Sequence, residues 1–277
     1  MTALTIGIPC HNEEAYIGQC LASLIAQEDT EDFEIVLSDN ASTDGTLVAI
    51  ETALAEAPQT FRDRLRILRQ PENIGVHGNF WAVFDAATTD HFMWLGGHDL
   101  LTVRYVADTL GLIAQDPGVS LASGQPFGVR DGAAPAFHVP DAVYDFTAPD
   151  PFQRYLQSVR ALANCTVFHA IFRHRDLSDL ARIQQGPWDH IVISHLIAKG
   201  TLAYSQAGYI RRYFATNRTA ENPNYAKDMA FVDAYLADFR TVFDGVVPAG
   251  LIDSLSHLIF LELVGRFGLP ATTPRAA

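Results

Sequence analysis

Residues able to bind ligands or move protons concentrate in five stretches. In FEIVLSDNASTDGT, residues 33–46, an apolar run delivers Asp39 to its carboxyl end. Ser42, Thr43 and Asp44 then supply turn and helix-start chemistry before Leu47, Ile50 and Leu54 recur at helical spacing. Just upstream, GIPCHNEE at 7–14 ends a first apolar run with Pro9, His11, Asn12 and Glu13. Ligands of open α/β sheets sit beyond the carboxyl ends of the strands, so two such polar ends imply one shared pocket. The third stretch is QPENIGVHGNF, where Pro71 and Asn73 break a strand, Gly75 permits a close turn and Asn79 enters the next helix. The fourth, GGHDLL, places His98 and Asp99 after an aromatic-rich strand. In the fifth, QGPWDHIVISHLIAKG, Pro187 suits a first helical turn, Trp188 and Asp189 open the helix and Gly200 ends it.

Each stretch also has a plain structural role. Asn12 suits an N-cap, with Glu13 and Glu14 complementing the helix dipole, and Asp189 suits the same dipole role in its own helix. Asp39 could bond only its own turn, but Ser42 and Asp44 are better placed for that, which leaves Asp39 free. Gly75 can be a backbone requirement alone. His169, His174, His190 and His195 lack an H-E-x-x-H frame and read as satisfied surface or core residues.

The positioning elements follow from periodicity. Strands are expected at 4–9, 33–37, 65–69, 91–95 and 119–123, and helices from 103 to 114, from 152 to 159 and from Pro187 to Gly200. Gly, Pro and Asp dominate 125–151, which reads as a long loop or irregular hairpin. Residues 165–177 read as a strand turning into a basic helix start, and 202–214 as a strand pair or extended segment. Two amphipathic helices, 226–240 and 251–267, could pack on the core, pair two subunits into a homo-oligomer, or lie on a membrane face; their few basic residues disfavour the last.

The turn after the opening strand and the D-x-x-S-x-D-G-T-like stretch after the second, in that order, resemble the family-two, inverting glycosyltransferases of the GT-A fold. The resemblance covers roughly residues 4–215. It implies a GT-A-like, Rossmann-related α/β domain with a mixed central sheet flanked by helices: a nucleotide-binding half at 1–124, an acceptor half at 125–215 and a helical C-terminal extension at 216–277. The implied reaction moves a sugar from a nucleotide-diphospho-sugar, UDP-linked, to a hydroxyl of a glycan or lipid-linked acceptor with inversion, in surface polysaccharide or glycoconjugate synthesis. By the same resemblance, Pro9, His11, Glu13 and Asp39 hold the nucleotide, His11 packing on the base where a tyrosine is usual. Asn73, Gly75 and Asn79 line the opposite side, with His77 and Gly78 where a basic residue is expected.

Gly96 and His98 fall at the two D-x-D places, so Gly97 and His98 contact the donor, and His98 with Asp99 would hold a divalent cation, Mn²⁺ or Mg²⁺. Imidazole suits Mn²⁺ better than Mg²⁺. Asp189 matches the catalytic base, with the Trp188 ring beside it able to stack on a sugar, and Arg212 and Arg218 belong to a basic loop over the diphosphate. The eroded D-x-D also suits a nucleotide-sugar or glycan-binding relative that has lost chemistry.

Composition bounds these readings. The 277 residues are 48% hydrophobic and 18% charged, ordinary for a globular domain. A net charge of −13 argues against general nucleic-acid binding, since phosphates are held by clustered Lys and Arg, though one nucleotide remains within reach. Three widely spaced cysteines suggest a reducing compartment and neither a disulfide framework nor a zinc cluster. With neither a signal-like opening nor an apolar stretch of spanning length, the chain is expected on the cytoplasmic side, at most peripheral to the inner membrane face.

Overall fold

A computed structural model of the chain describes residues 3–30, 32–130, 133–184, 186–214 and 227–269. Strand β1 (Leu4–Cys10) is buried throughout, as expected of a near-continuous apolar run covered on both faces. It pairs in parallel with β2 (Phe33–Asp39), in a register that sets Cys10 opposite Asp39. On its other side lies β4 (His91–Trp94), also parallel, while β3 (Leu65–Arg69) extends the sheet beyond β2. A two-residue β8 (Phe172–Arg173) closes the order β3-β2-β1-β4-β8 antiparallel to β4. Pro9 is tolerated in this central strand because β4 pairs only with Leu4 to Gly7, so the missing N–H lies beyond the last rung on that side.

Crossovers run through α1 (Ile17–Ile25), α2 (Thr46–Glu56), the single turn α3 (Gln59–Arg62), α4 (Gly75–Asp85) and α5 (Tyr105–Gln115). A second sheet has the order β5-β9-β6-β7, built from β5 (Leu100–Leu101), β6 (Val119–Arg130), β7 (Ala133–His138) and β9 (Thr201–Tyr213). Its centre is the long parallel pairing of β6 with β9, and an Ala122–Ile171 bridge brings it against the first sheet.

Two apolar cores result. One lies under α1, α2 and α5, with Ile6, Ile17, Leu21 and Ile50 fully buried. The other joins α4 to α6 (Pro151–Ala161), α7 (Trp188–Lys199), α8 (Met229–Phe243) and α9 (Ala249–Phe267). The last two helices present Phe231, Tyr235, Phe239, Ile259, Phe260 and Leu263 to that core at three- and four-residue spacing, so they pack on it.

A buried polar network pins α7 in place. His195, fully buried, meets Asp238 Oδ1 through Nδ1 at 2.6 Å, and Tyr155 donates to Asp238 Oδ2 at 3.0 Å. Ser158 and Ser194 share a hydrogen bond at 2.7 Å, and Ser194 also bonds the Tyr235 hydroxyl. The network therefore ties α6, α7 and α8 together with every member partnered.

Several boundaries differ from expectation. Asn12 caps no helix: it is left-handed at φ 56°, and α1 starts only at Ile17. Strand β6 runs to Arg130 instead of stopping near Ser123, because pairing with β9 satisfies its backbone, and 125–151 begins as the irregular hairpin β6–β7. Residues 165–177 form two 3₁₀ turns around β8 rather than a strand leading into a helix. Among the described residues, no helix is long and apolar enough to cross a membrane.

Candidate active site

The turns after β1 and β2 hold each other. Asn12 N–H donates to Ser42 Oγ at 2.9 Å and Thr43 N–H to Asn12 Oδ1 at 2.8 Å. Glu13 N–H donates to Thr46 Oγ1 at 2.8 Å, Glu14 N–H to Asp44 Oδ2 at 3.2 Å, and Gly45 N–H returns to Glu14 Oε2 at 3.0 Å. The polar residues of each turn thus satisfy the other's backbone, which fixes the strand ends side by side. A third loop joins through Asn40, which the sequence alone did not single out. Its amide donates to Asn73 Oδ1 at 2.9 Å and Gly75 O at 3.2 Å, and its Oδ1 accepts from Ile74 N–H at 2.8 Å. Gly75 sits at φ +79°, with no atom near where a Cβ would stand, so its requirement is conformational.

This frame presents three buried polar atoms that no described residue satisfies: His11 Nδ1, Asp39 Oδ1 and Asn79 Oδ1. The Asn79 amide nitrogen faces the carbonyls of Cys10 and Ser38 at 3.3 and 3.2 Å, both acceptors, which forces its oxygen the other way. Asn73 Nδ2 approaches His11 Nε2 at 3.3 Å, which makes Nδ1 the protonated nitrogen of a neutral ring. The unfilled set is therefore one donor and two acceptors. Unpartnered buried polar groups are costly and uncommon, and a cluster of them at the ends of β1 and β2 is the mark of a ligand position. Pro9 supports it from within β1. His77 is buried, and burial holds its pKa below the usual value, so no cation stands at that place.

The GGHDLL segment lies against the same turns. His98 Nδ1 meets Glu13 Oε1 at 2.9 Å, and Gly97 packs so closely on Cys10 and Glu13 that a Cβ there would stand 3.2 Å from the Cys10 Cβ. Asp99 is 2% exposed and works as an anchor: Tyr209 donates to Oδ2 at 2.6 Å and Arg212 N–H to Oδ1 at 2.7 Å. That pulls β9 onto the site. Gly96 is needed for this contact, since its Cβ would lie 2.8 Å from Asp99 Oδ2. His98 Nε2 is 3.9 Å from Asp99 Oδ1, and each Asp99 oxygen retains one lone pair. This nitrogen-and-oxygen pair fits a divalent cation that takes the rest of its ligands from a bound diphosphate.

Neighbouring residues of β9 point to opposite faces. Arg212, only 8% exposed, donates to Gln19 at 2.8 Å and to the His98 carbonyl at 3.1 Å, and lies over the Tyr16 ring. Arg211 turns the other way, donating to Asn164 at 3.1 Å, and its charge is felt by Asp99 and Cys165. It connects the two ends of the site. Arg218 lies outside the described residues.

Asp189 is in the first turn of α7, half-buried, with Oδ1 accepting from His190 N–H at 3.0 Å. Trp188 does not face a sugar. It is 2% exposed and packs in an aromatic cluster with Phe80, Trp81, Trp94 and Phe168, where burying its large surface outweighs any exposed role. The sequence alone read His190 as a satisfied residue and Cys165 as one of three isolated cysteines; each brings one ligand atom to within 4.8 Å of the Asp189 carboxylate and of the other.

The glycosyl transferase family 2 profile matches residues 5–180. An uncharacterized protein of Mycobacterium bovis and one of Mycobacterium tuberculosis are each 40% identical over 92 residues, a stretch that covers 33% of this chain and 25% of theirs. The chain thus spans about a quarter of the length of those relatives. Crystal structures of Staphylococcus aureus TarS superpose over nearly the whole chain. TarS 1–349 does so with TM-score 0.64 at 15% identity, covering 96% of this chain and 72% of its own, and its complex with UDP-GlcNAc with TM-score 0.67 at 14% identity, covering 95% and 73%. At such identity the likeness shows a shared fold, the mixed sheet flanked by helices described above. Because the profile spans more than half of the chain, this protein belongs to glycosyl transferase family 2.

Proposed function

We propose that the protein transfers a sugar from a UDP-sugar to a hydroxyl acceptor with inversion. The carrying observation is the trio of unsatisfied buried atoms, His11 Nδ1, Asp39 Oδ1 and Asn79 Oδ1. A uracil ring offers an imide N–H flanked by two carbonyl oxygens, so Asp39 accepts from the imide and the His11 N–H donates to a carbonyl or hydroxyl oxygen. TarS, a structural neighbour, has been crystallised with UDP and with UDP-GlcNAc, in keeping with that choice of nucleotide.

Asp189 takes the acceptor proton as the hydroxyl oxygen attacks the anomeric carbon, and the helix N–H on its Oδ1 orients the carboxylate. Glu13 holds the His98 ring, so the diphosphate meets a fixed imidazole edge. Arg211, between Asp99 and Cys165, supplies positive charge toward the leaving group. A divalent cation held by His98 and Asp99, Mn²⁺ before Mg²⁺, would neutralise charge on the departing diphosphate. Glu13, Gly97, Asn73 and Gly75 shape the donor pocket, and the acceptor, glycan or lipid-linked, enters from the side of β6 and β7. The N-terminal elements to residue 124 hold the donor and those from 125 to 215 the acceptor, with the helical extension buttressing α7.

Calorimetric titration with UDP in Mn²⁺, Mg²⁺ and chelator tests the pocket, and Asp39→Ala should weaken binding ten- to a hundredfold, the loss of one hydrogen bond to a charged group of about 1.5–3 kcal/mol. Asp189→Asn should keep UDP affinity while abolishing transfer. The Asp99 anchoring favours a second reading, a donor-binding relative without chemistry. Tight UDP binding with neither transfer nor donor hydrolysis would establish that one.

A further inference from the structure

Two groups beside Asp189 have no part in sugar transfer. Cys165 begins the 3₁₀ turn after α6, and His190 follows Asp189 in α7; they are 7% and 4% exposed. No described residue makes a hydrogen bond to the His190 ring, whose neighbours are the edges of Phe231 and Phe267. The ring is buried and brings one nitrogen close to a thiol and a carboxylate. The thiol sulfur, a carboxylate oxygen and a ring nitrogen all lie within 4.8 Å of one another.

We propose that Cys165, Asp189 and His190 form a site for a borderline-soft divalent cation, Zn²⁺ by its chemistry, and that the ion silences the enzyme by occupying the Asp189 carboxylate. Sulfur, nitrogen and oxygen donors from three side chains, with one position left for water, are the ligand set of an open tetrahedral zinc site. Hard Mg²⁺ does not favour a thiolate, so this site and the one at His98 and Asp99 select different ions. Thiolate and carboxylate together neutralise the ion, which a buried site requires, and they outweigh the positive end of α7.

The geometry needs little change. Tetrahedral bonds of about 2.1–2.3 Å place ligand atoms roughly 3.4–3.7 Å apart, so the three side chains close by about 1 Å. The ion binds the imidazole through its lone pair, and the thiol proton leaves to solvent when the ion enters. Arg211 and Lys227 ease that loss by favouring the thiolate.

The test is a Co²⁺ titration of the full chain, stripped of metal and followed by absorbance, then displacement by Zn²⁺. A thiolate-to-cobalt charge-transfer band and tetrahedral visible bands should grow to one equivalent and vanish with Zn²⁺. Cys165→Ser should lose the charge-transfer band, and His190→Gln should weaken Co²⁺ binding at least tenfold. Cys165→Ala serves if the serine variant loses its circular dichroism. No such band in the wild type, or a band that survives in Cys165→Ser, overturns the site. The silencing rests on Asp189 being the base: one equivalent of Zn²⁺ should stop transfer while UDP affinity is kept, and full-rate transfer with the ion bound overturns that half. A cobalt band in a protein that transfers no sugar under any condition refutes the transferase reading and upholds the site.

Discussion

The pairing of His195 with Asp238 offers a quantitative test of how α7 is held. Replacing Asp238 by Ala removes the acceptor of the 2.6 Å bond from His195 and of the 3.0 Å bond from Tyr155. His195 is fully buried, so its Nδ1–H would find neither water nor another acceptor there, and breaking a buried pair from one side costs about 3–5 kcal/mol. Part of that is offset, because burial already raises the Asp238 pKa and the native pair carries this desolvation cost. The expected loss is therefore near 3 kcal/mol. For 277 residues, an unfolding entropy of about 0.6 kcal/mol/K makes this a fall in Tm of roughly 5 °C.

Asp238→Asn keeps an oxygen for His195, while Tyr155 can still reach Tyr235 O at 3.3 Å, so its loss should be about 1–2 kcal/mol. Urea and thermal unfolding followed by circular dichroism, with the His195→Phe and double variants completing a cycle, measure the coupling. An Asp238→Ala protein within 1 kcal/mol of wild type, or a coupling near zero, would refute the idea that this network fixes α7.

Further outcomes follow from the site. Gly96→Asp, which rewrites the segment toward two carboxylates, should not create a stronger cation site; it should lower stability by about 1–3 kcal/mol because its Cβ meets Asp99 Oδ2 at 2.8 Å, and unchanged Tm with tighter Mn²⁺ binding would contradict this. Tyr209→Phe removes a donor from the buried Asp99 carboxylate and should cost about 1.5–3 kcal/mol in urea unfolding, where a neutral result would show that Asp99 needs no anchor. His190, depressed to about 4 from an ordinary 6.5, is neutral when folded and takes up a proton when unfolded. Its contribution is fully present above pH 6.5 and is lost as pH falls toward 4, at about 1.4 kcal/mol per pH unit, or about 2 kcal/mol at pH 5. In chelator, His190→Gln should flatten this part of the stability–pH curve; an unchanged slope would place the titration elsewhere.

Local signals in the sequence foretold what local chemistry decides. The strands that close just after Pro9 and at Asp39, the helix with Asp189 in its first turn and Gly200 after its last, and the irregular hairpin within 125–151 all follow from runs, turn residues and caps. What stayed hidden depends on partners distant in the chain. Asn12 looks like a cap until Ser42 and Thr43 are seen to bond it, and Trp188 looks like a sugar platform until Trp81, Trp94 and Phe168 are seen around it. Arg211 and Arg212 are indistinguishable by type, and only the pleat of β9 sends one toward Cys165 and the other toward Tyr16. Asn40 gave no sign because its partners are the Asn73 side chain and the backbone of residues 74 and 75, and Cys165 meets His190 only through tertiary packing.

The pairing of β6 with β9 carries a consequence for biosynthesis. Its strands begin at Val119 and Thr201, so at about 5–20 residues per second the ribosome delivers the second several seconds after the first. Throughout that interval the nascent chain holds its parallel N-terminal strands with a long β6 whose main edge is bare, an invitation to foreign strands. The turns after β1 and β2 come together early and the first turn of α7 late, and a chaperone bound near residues 119–130 would act in that window.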